Sequence, residues 1–215
     1  MKRLLDFHTH QSPNPTRLYN LDTPHPLDYP FSVGIHPWKL DESWAKQLDE
    51  LTPLLEHPRV FALGEIGFDR LKGPATEIQQ AAFQTQADLA KYHKLLIILH
   101  CVKGFHLLQA YLKRNPDSAP IIWHGWNLKI ELAQSLLTYP VYFSFGKHLL
   151  LEKSHAQQWL QKCPKDKIFF ETDDSDLSIE SIYAQASVLL GCSIEQLSAL
   201  THSNWKKISN KQWYE

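Results

Sequence analysis

The chain has 215 residues, 43% hydrophobic and 21% charged, with a formal net charge of -1. This length suits one domain spanning residues 1–215, and the aromatic content excludes a disordered chain. The balanced charge supplies no overall attraction to a polyanion, so any nucleic-acid contact has to come from a local patch.

Taken in chain order, short apolar runs without alternation predict strands at residues 4–7, 17–21, 31–35 and 60–63, then 95–99, 121–123, 141–145 and 168–170. Runs of this kind suit strands buried on both faces of a parallel sheet. Helical spacing predicts helices at 42–56 behind Asp41 as N-cap, 77–92 behind Thr76, and 105–113. Further helices are expected at 128–138, 149–161, 179–190 behind Ser178 and 194–202 behind Ser193. Strands alternating with helices imply βα units. Eight strand candidates without a GxGxxG fingerprint favour an α/β fold of the TIM-type (β/α) barrel class over an open doubly wound sheet. Residues 11–16 and 22–30 are proline-rich and lack helical periodicity, so the first crossover helices are expected to be shortened or missing.

Histidines and carboxylates fall mainly at one kind of position, on or just after a buried strand. In a barrel those ends meet at one face, where active sites are built. His8 and His10 form an HxH pair within reach of one metal ion, although an isolated pair is as often a surface feature. Glu65 stands between Gly64 and Gly67, where a carboxylate can approach a cation closely; alone it could equally cap a helix. His100 and His124 leave successive apolar runs, a placement that shifts the odds from core histidine to ligand. Asp173 lies in an acidic cluster whose self-repulsion a bound cation would remove, whereas Asp174 and Asp176 fit a solvated loop. His36, at another strand end, is placed to hold a substrate oxygen. His25, His57, His93, His106, His148, His155 and His202 read as surface or helix residues. Trp38, Trp126 and Phe68 near strand ends could stack bases, though packing is at least as common a use for such rings.

These residues together resemble the TatD-like metal-dependent hydrolase family. The matching stretches are DFHTH at 6–10, GIHP at 34–37, GEIGFD at 64–69, FQTQ at 83–86, His100, HG at 124–125, ETD at 171–173 and NW at 204–205. The resemblance implies that His8, His10, Glu65 and Asp173 hold one divalent ion and that Glu65, His100 and His124 hold a second, with Glu65 bridging. Magnesium, manganese or zinc are the candidate ions, and a phosphodiester or DNA the candidate substrate. The chain departs from the family pattern on the substrate side: Trp38 stands where a second histidine usually follows GxHP, Lys103 is the nearest base to His100, and HGWN replaces an HCFSG-like stretch.

The expected chemistry is hydrolysis by a two-metal-activated water, with Asp173 as general base beside Glu65, and with Arg70, Lys103 and Lys147 as phosphate contacts. An amide, lactone or ester hydrolase on the same barrel is the alternative, and a silent binding protein is the rival of another class. Cys101, Cys163 and Cys192 lie in unrelated contexts without CxxC spacing, which fits a reducing cytoplasm. With no apolar run near the roughly 20 residues of a membrane span, a cytoplasmic protein without membrane contact is expected. No obligate protein partner is inferred.

Overall fold

All eight apolar runs form strands of one parallel sheet, hydrogen-bonded in sequence order. The computed structural model describes residues 3–213. Its strands are β1 (Asp6–Thr9), β2 (Arg17–Asn20), β3 (Phe31–Val33), β4 (Val60–Asp69), β5 (Leu96–Val102), β6 (Ile121–Trp123), β7 (Val141–Phe145) and β8 (Ile168–Phe170). The first and last strands meet at the C-terminal end: His10 N donates to Asp173 O at 3.0 Å, and Asp173 N donates to His8 O at 3.0 Å. A second clasp is polar and buried, since Thr172 donates from N and Oγ1 to the Asp6 carboxylate while its Oγ1 also meets Thr9 Oγ1. The sheet is thereby closed into the expected TIM-type barrel.

The helices are α1 (Trp44–Leu51), α2 (Thr76–Tyr92), α3 (Phe105–Arg114), α4 (Ile130–Gln134), α5 (His155–Leu160), α6 (Ile179–Leu190) and α7 (Ile194–Ile208). Among the described residues no helix joins β1 to β2 or β2 to β3, as the proline-rich loops foretold. None is long and apolar enough to cross a membrane. Several boundaries differ from expectation. Asp41 does not cap a helix from 42; it accepts from Ser43 N at 2.7 Å, and α1 starts one residue beyond Ser43, stopping before Pro53 turns the chain into a short 3-10 helix. Ala75 takes the cap position expected of Thr76. The helix expected at 128–138 shrinks to α4, and that at 149–161 splits into a 3-10 turn (Lys147–Leu150) and α5. In contrast α7 runs on past His202, which brings Trp205 against the barrel.

Apolar side chains fill both sides of the sheet, as parallel barrels require. Inside, Phe7, Leu18, Ala62, Ile98, Ile122 and Phe169 pack with Trp205 and Trp213. Because Asn204 Nδ2 donates to Lys165 O and to Ile168 O, where β8 begins, this end of α7 closes the N-terminal floor. The opposite end stays polar.

Candidate metal centre

Glu65 lies at the middle of the polar end. It sits within β4 rather than after it, because β4 continues to Asp69 and carries one extra residue between Leu63 and Ile66 relative to β5. Such irregularities re-aim side chains near active sites. Gly67 lets β4 run this close to β5: a Cβ there would lie 1.9 Å from His100 O, and its φ of +146° disfavours a side chain as well. Asn20, at the end of β2, accepts from Glu65 N at 2.9 Å and so fixes the backbone beneath the carboxylate.

Five histidines from four other strands or their ends converge on this carboxylate. Oε1 is 2.8 Å from His100 Nδ1, 2.8 Å from His124 Nε2 and 3.4 Å from His36 Nε2. Oε2 is 3.4 Å from both His8 Nε2 and His10 Nε2. Asp173 Oδ1 approaches His8 Nε2 at 3.4 Å and His10 Nε2 at 3.9 Å. Asp173 reaches this position in left-handed backbone, φ +52°, held by its two hydrogen bonds to β1.

Burial opposes charge on Glu65, Asp173, His8 and His124, yet opposite charges outweigh it. Glu65 is held well below the usual carboxylate range by its histidines, and Asp173 is lowered by His8 and His124. Conversely His8 is raised by Asp173 and Glu65, and His124 by Glu65. Burial prevails at His36, which is lowered, and at Glu171, which is raised.

Both ring nitrogens of His8 and Nδ1 of His124 are buried and lack a hydrogen-bond partner, while His124 Nε2 faces Glu65 Oε1 at 2.8 Å. A buried polar atom left unpaired costs about 1–3 kcal/mol. Three groups have ligand atoms within 4.8 Å of one another: His8, Glu65 and His124; His8, His10 and Asp173; and His36, Glu65 and His100. Mixed imidazole and carboxylate donors of this kind fit a divalent cation, which would use the unpaired nitrogens. The expected ligands His8, His10, Glu65, His100, His124 and Asp173 therefore share one cluster, and His36 joins it.

The expected phosphate contacts lie outside that cluster. Arg70 and Lys103 are exposed just past β4 and β5. Lys147, past β7, pairs with Asp174, whose hydrogen bond raises the lysine pKa. Of the three rings suggested for stacking, Trp126 and Phe68 are buried in the core, and Trp38 is 53% exposed.

Sequence reasoning missed Asp69, Glu171 and the buried glutamines of α2. Asp69 Oδ2 accepts from Trp38 Nε1 at 2.6 Å and lies 3.1 Å from His100 Nε2. Its Oδ1 accepts from Leu71 N and Lys72 N. These donors hold the Asp69 pKa down at about 2 against burial. A carboxylate behind a histidine fixes its tautomer and leaves the other nitrogen, here Nδ1, for a ligand. Glu171 is fully buried and accepts from Gly125 N, with His124 Nδ1 3.9 Å away. Gln79 bonds the backbone of Asp69, and Gln86 accepts from Ile35 N beside His36. The polar residues recurring on the inner face of α2 were the available signal.

A family model described as TatD related DNase matches residues 7–210. The chain belongs to that family. It is 24% identical over 194 residues to the uncharacterized metal-dependent hydrolase YabD of Bacillus subtilis, covering 82% of this chain and 76% of that protein. It is 31% identical over 113 residues to the 3'-5' ssDNA/RNA exonuclease TatD of Edwardsiella piscicida, covering 50% of this chain and 44% of that one. The crystal structure of YjjV, a TatD homolog from Escherichia coli, has a TM-score of 0.72 at 22% identity, covering 85% of this chain and 77% of that chain. This last likeness supports the TatD fold.

Proposed function

We propose that the protein is a divalent-metal-dependent phosphodiesterase acting on nucleic acid. The observation that carries this reading is the gathering of buried, unpaired imidazole nitrogens around Glu65 and Asp173. Relatives named as nucleases, including the 3'-5' RNA nuclease TATDN2 of Homo sapiens, support the choice of substrate class.

In this reading His8, His10, Asp173 and Glu65 hold one ion. Glu65 with His100 holds a second, completed by His124 or His36, and magnesium, manganese or zinc suits the donor set. Bound there, the ions supply Lewis acidity and a water of lowered pKa. Asp173, kept ionised by the charge around it, accepts the proton of the attacking water at Oδ1. Glu65 keeps the two halves of the cluster in register, and Asp69 orients His100 from behind. Arg70 and Lys103 at the rim contact phosphoryl oxygens, joined by Lys147 when it leaves Asp174.

The test is hydrolysis of bis(4-nitrophenyl) phosphate in Mn²⁺ by the wild type and by Asp173→Asn. Turnover that collapses in the variant supports the reading. Equal rates remove Asp173 from the chemistry, and turnover of acyl substrates with inert phosphodiesters replaces the reading with an ester or amide hydrolase.

A further inference from the structure

Trp38 is a large aromatic side chain left more than half exposed immediately beside the Glu65 cluster. Its ring centroid lies 4.8 Å from that of His36 and 5.9 Å from that of His100. It does not swing freely, because its N–H is tied to Asp69 Oδ2. The same carboxylate holds the backbone of Leu71 and Lys72, so one buried group fixes the indole and the loop beside it. From that loop Lys72 sets its ammonium over the indole, 4.1 Å from the ring centroid. A flat ring, held rigid at the rim and covered by one cation, is unlike a packing residue, whose faces meet apolar neighbours.

We propose that Trp38 and Lys72 form a subsite for one unpaired nucleotide next to the scissile phosphate, the indole taking the base and the ammonium a backbone phosphate. An exposed cation–π contact is weak. A base entering over that face displaces the ammonium, and a phosphate of the same strand receives it. Stacking on an aromatic ring is indifferent to base identity and needs a base whose face is free, so the subsite favours single strands or frayed ends over duplex. Trp126 and Phe68 are buried and offer no such surface. The inference rests on the phosphodiesterase reading and specifies its substrate.

Two substrates of equal charge separate the roles: a dT octamer and an octamer of abasic residues, each assayed for kcat/KM in Mn²⁺ beside bis(4-nitrophenyl) phosphate. The wild type prefers the dT octamer. Trp38→Phe, which keeps the ring and loses the N–H, retains that preference. Trp38→Gln, which keeps a donor for Asp69 and loses the ring, lowers the dT-to-abasic ratio by about tenfold to a hundredfold. Lys72→Ala lowers both octamers by several-fold and weakens their dependence on salt. A second readout needs no turnover: an octamer carrying 2-aminopurine, mixed with chelator-treated protein, loses fluorescence on the wild type and on Trp38→Phe but not on Trp38→Gln. Equal wild-type rates on both octamers, or no quenching, overturn the subsite while hydrolysis of the small diester leaves the phosphodiesterase reading standing. Failure to cleave any phosphodiester overturns both. A dT preference kept by Trp38→Gln and lost by Trp38→Phe assigns the indole to holding Asp69 instead.

Discussion

At the floor of the barrel Trp205 stacks on Phe61, packs on Phe7 and donates its indole N–H to Lys211 O at 2.7 Å. At the mouth, His8 and His124 hold three buried ring nitrogens with no hydrogen-bond partner. The floor has two comparable orphans, Asn204 Oδ1 and Trp213 Nε1. Burying an apolar side chain at the floor contributes about 1.5–3 kcal/mol. The mouth instead carries a standing cost that packing does not offset, and a ligand can. The contrast teaches which residues keep the chain folded and which keep it reactive.

Breaking the floor produces the largest effect. Trp205→Ala removes a fully buried ring and destabilises by about 3–5 kcal/mol, read from urea unfolding. The fraction that remains folded keeps its metal stoichiometry, and loss of metal by that fraction would blur the two regions into one. Next comes the centre of the mouth. Glu65→Gln lowers kcat/KM for a phosphodiester by roughly a hundredfold to a thousandfold, while its urea midpoint without metal stays near that of the wild type under the same conditions. Asp69→Asn has a smaller effect, because it acts through His100: metal affinity measured by titration calorimetry drops about tenfold to a hundredfold.

The gentlest test is pH. His8 and His124 have raised pKa values, so they hold protons more tightly than a free imidazole, and a metal must displace those protons. Metal binding should therefore release protons, and affinity should rise with pH through the histidine range. Calorimetry in buffers of different ionisation enthalpy reads this directly, and an affinity flat from pH 6 to 8 would separate these histidines from the binding event.

Much of this contrast could be read in the sequence. Apolar runs located every strand, and residues such as His8, His100 and His124 stood where those runs turn polar. The two helixless connections were visible as proline-rich segments. Less visible was anything that depends on register. The extra residue in β4 that turns Glu65 inward has no signature beyond Gly64 and Gly67. Trp38 and Asp69 meet across 31 positions of sequence, through a loop geometry that periodicity does not encode. Glu171 entered the sequence reading only as part of the ETD stretch at 171–173, and only the fold shows it buried and bonded to Gly125 N. His36, expected to hold a substrate oxygen, also brings its Nε2 to 3.4 Å from Glu65 Oε1, a contact that strand-end placement alone does not encode. The 149–161 helix failed for a local reason: Ser154 caps a fresh helix at His155, accepting from Gln157 N, and this restarts the chain.

The central claim is that Glu65 is the shared ligand of a metal cluster. Anomalous scattering from crystals grown with Mn²⁺ tests it most directly. Peaks are expected about 2.0–2.3 Å from the Glu65 carboxylate oxygens, with His8, His10 and Asp173 around one and His100 beside another. Manganese bound elsewhere, with no peak touching Glu65, would contradict it.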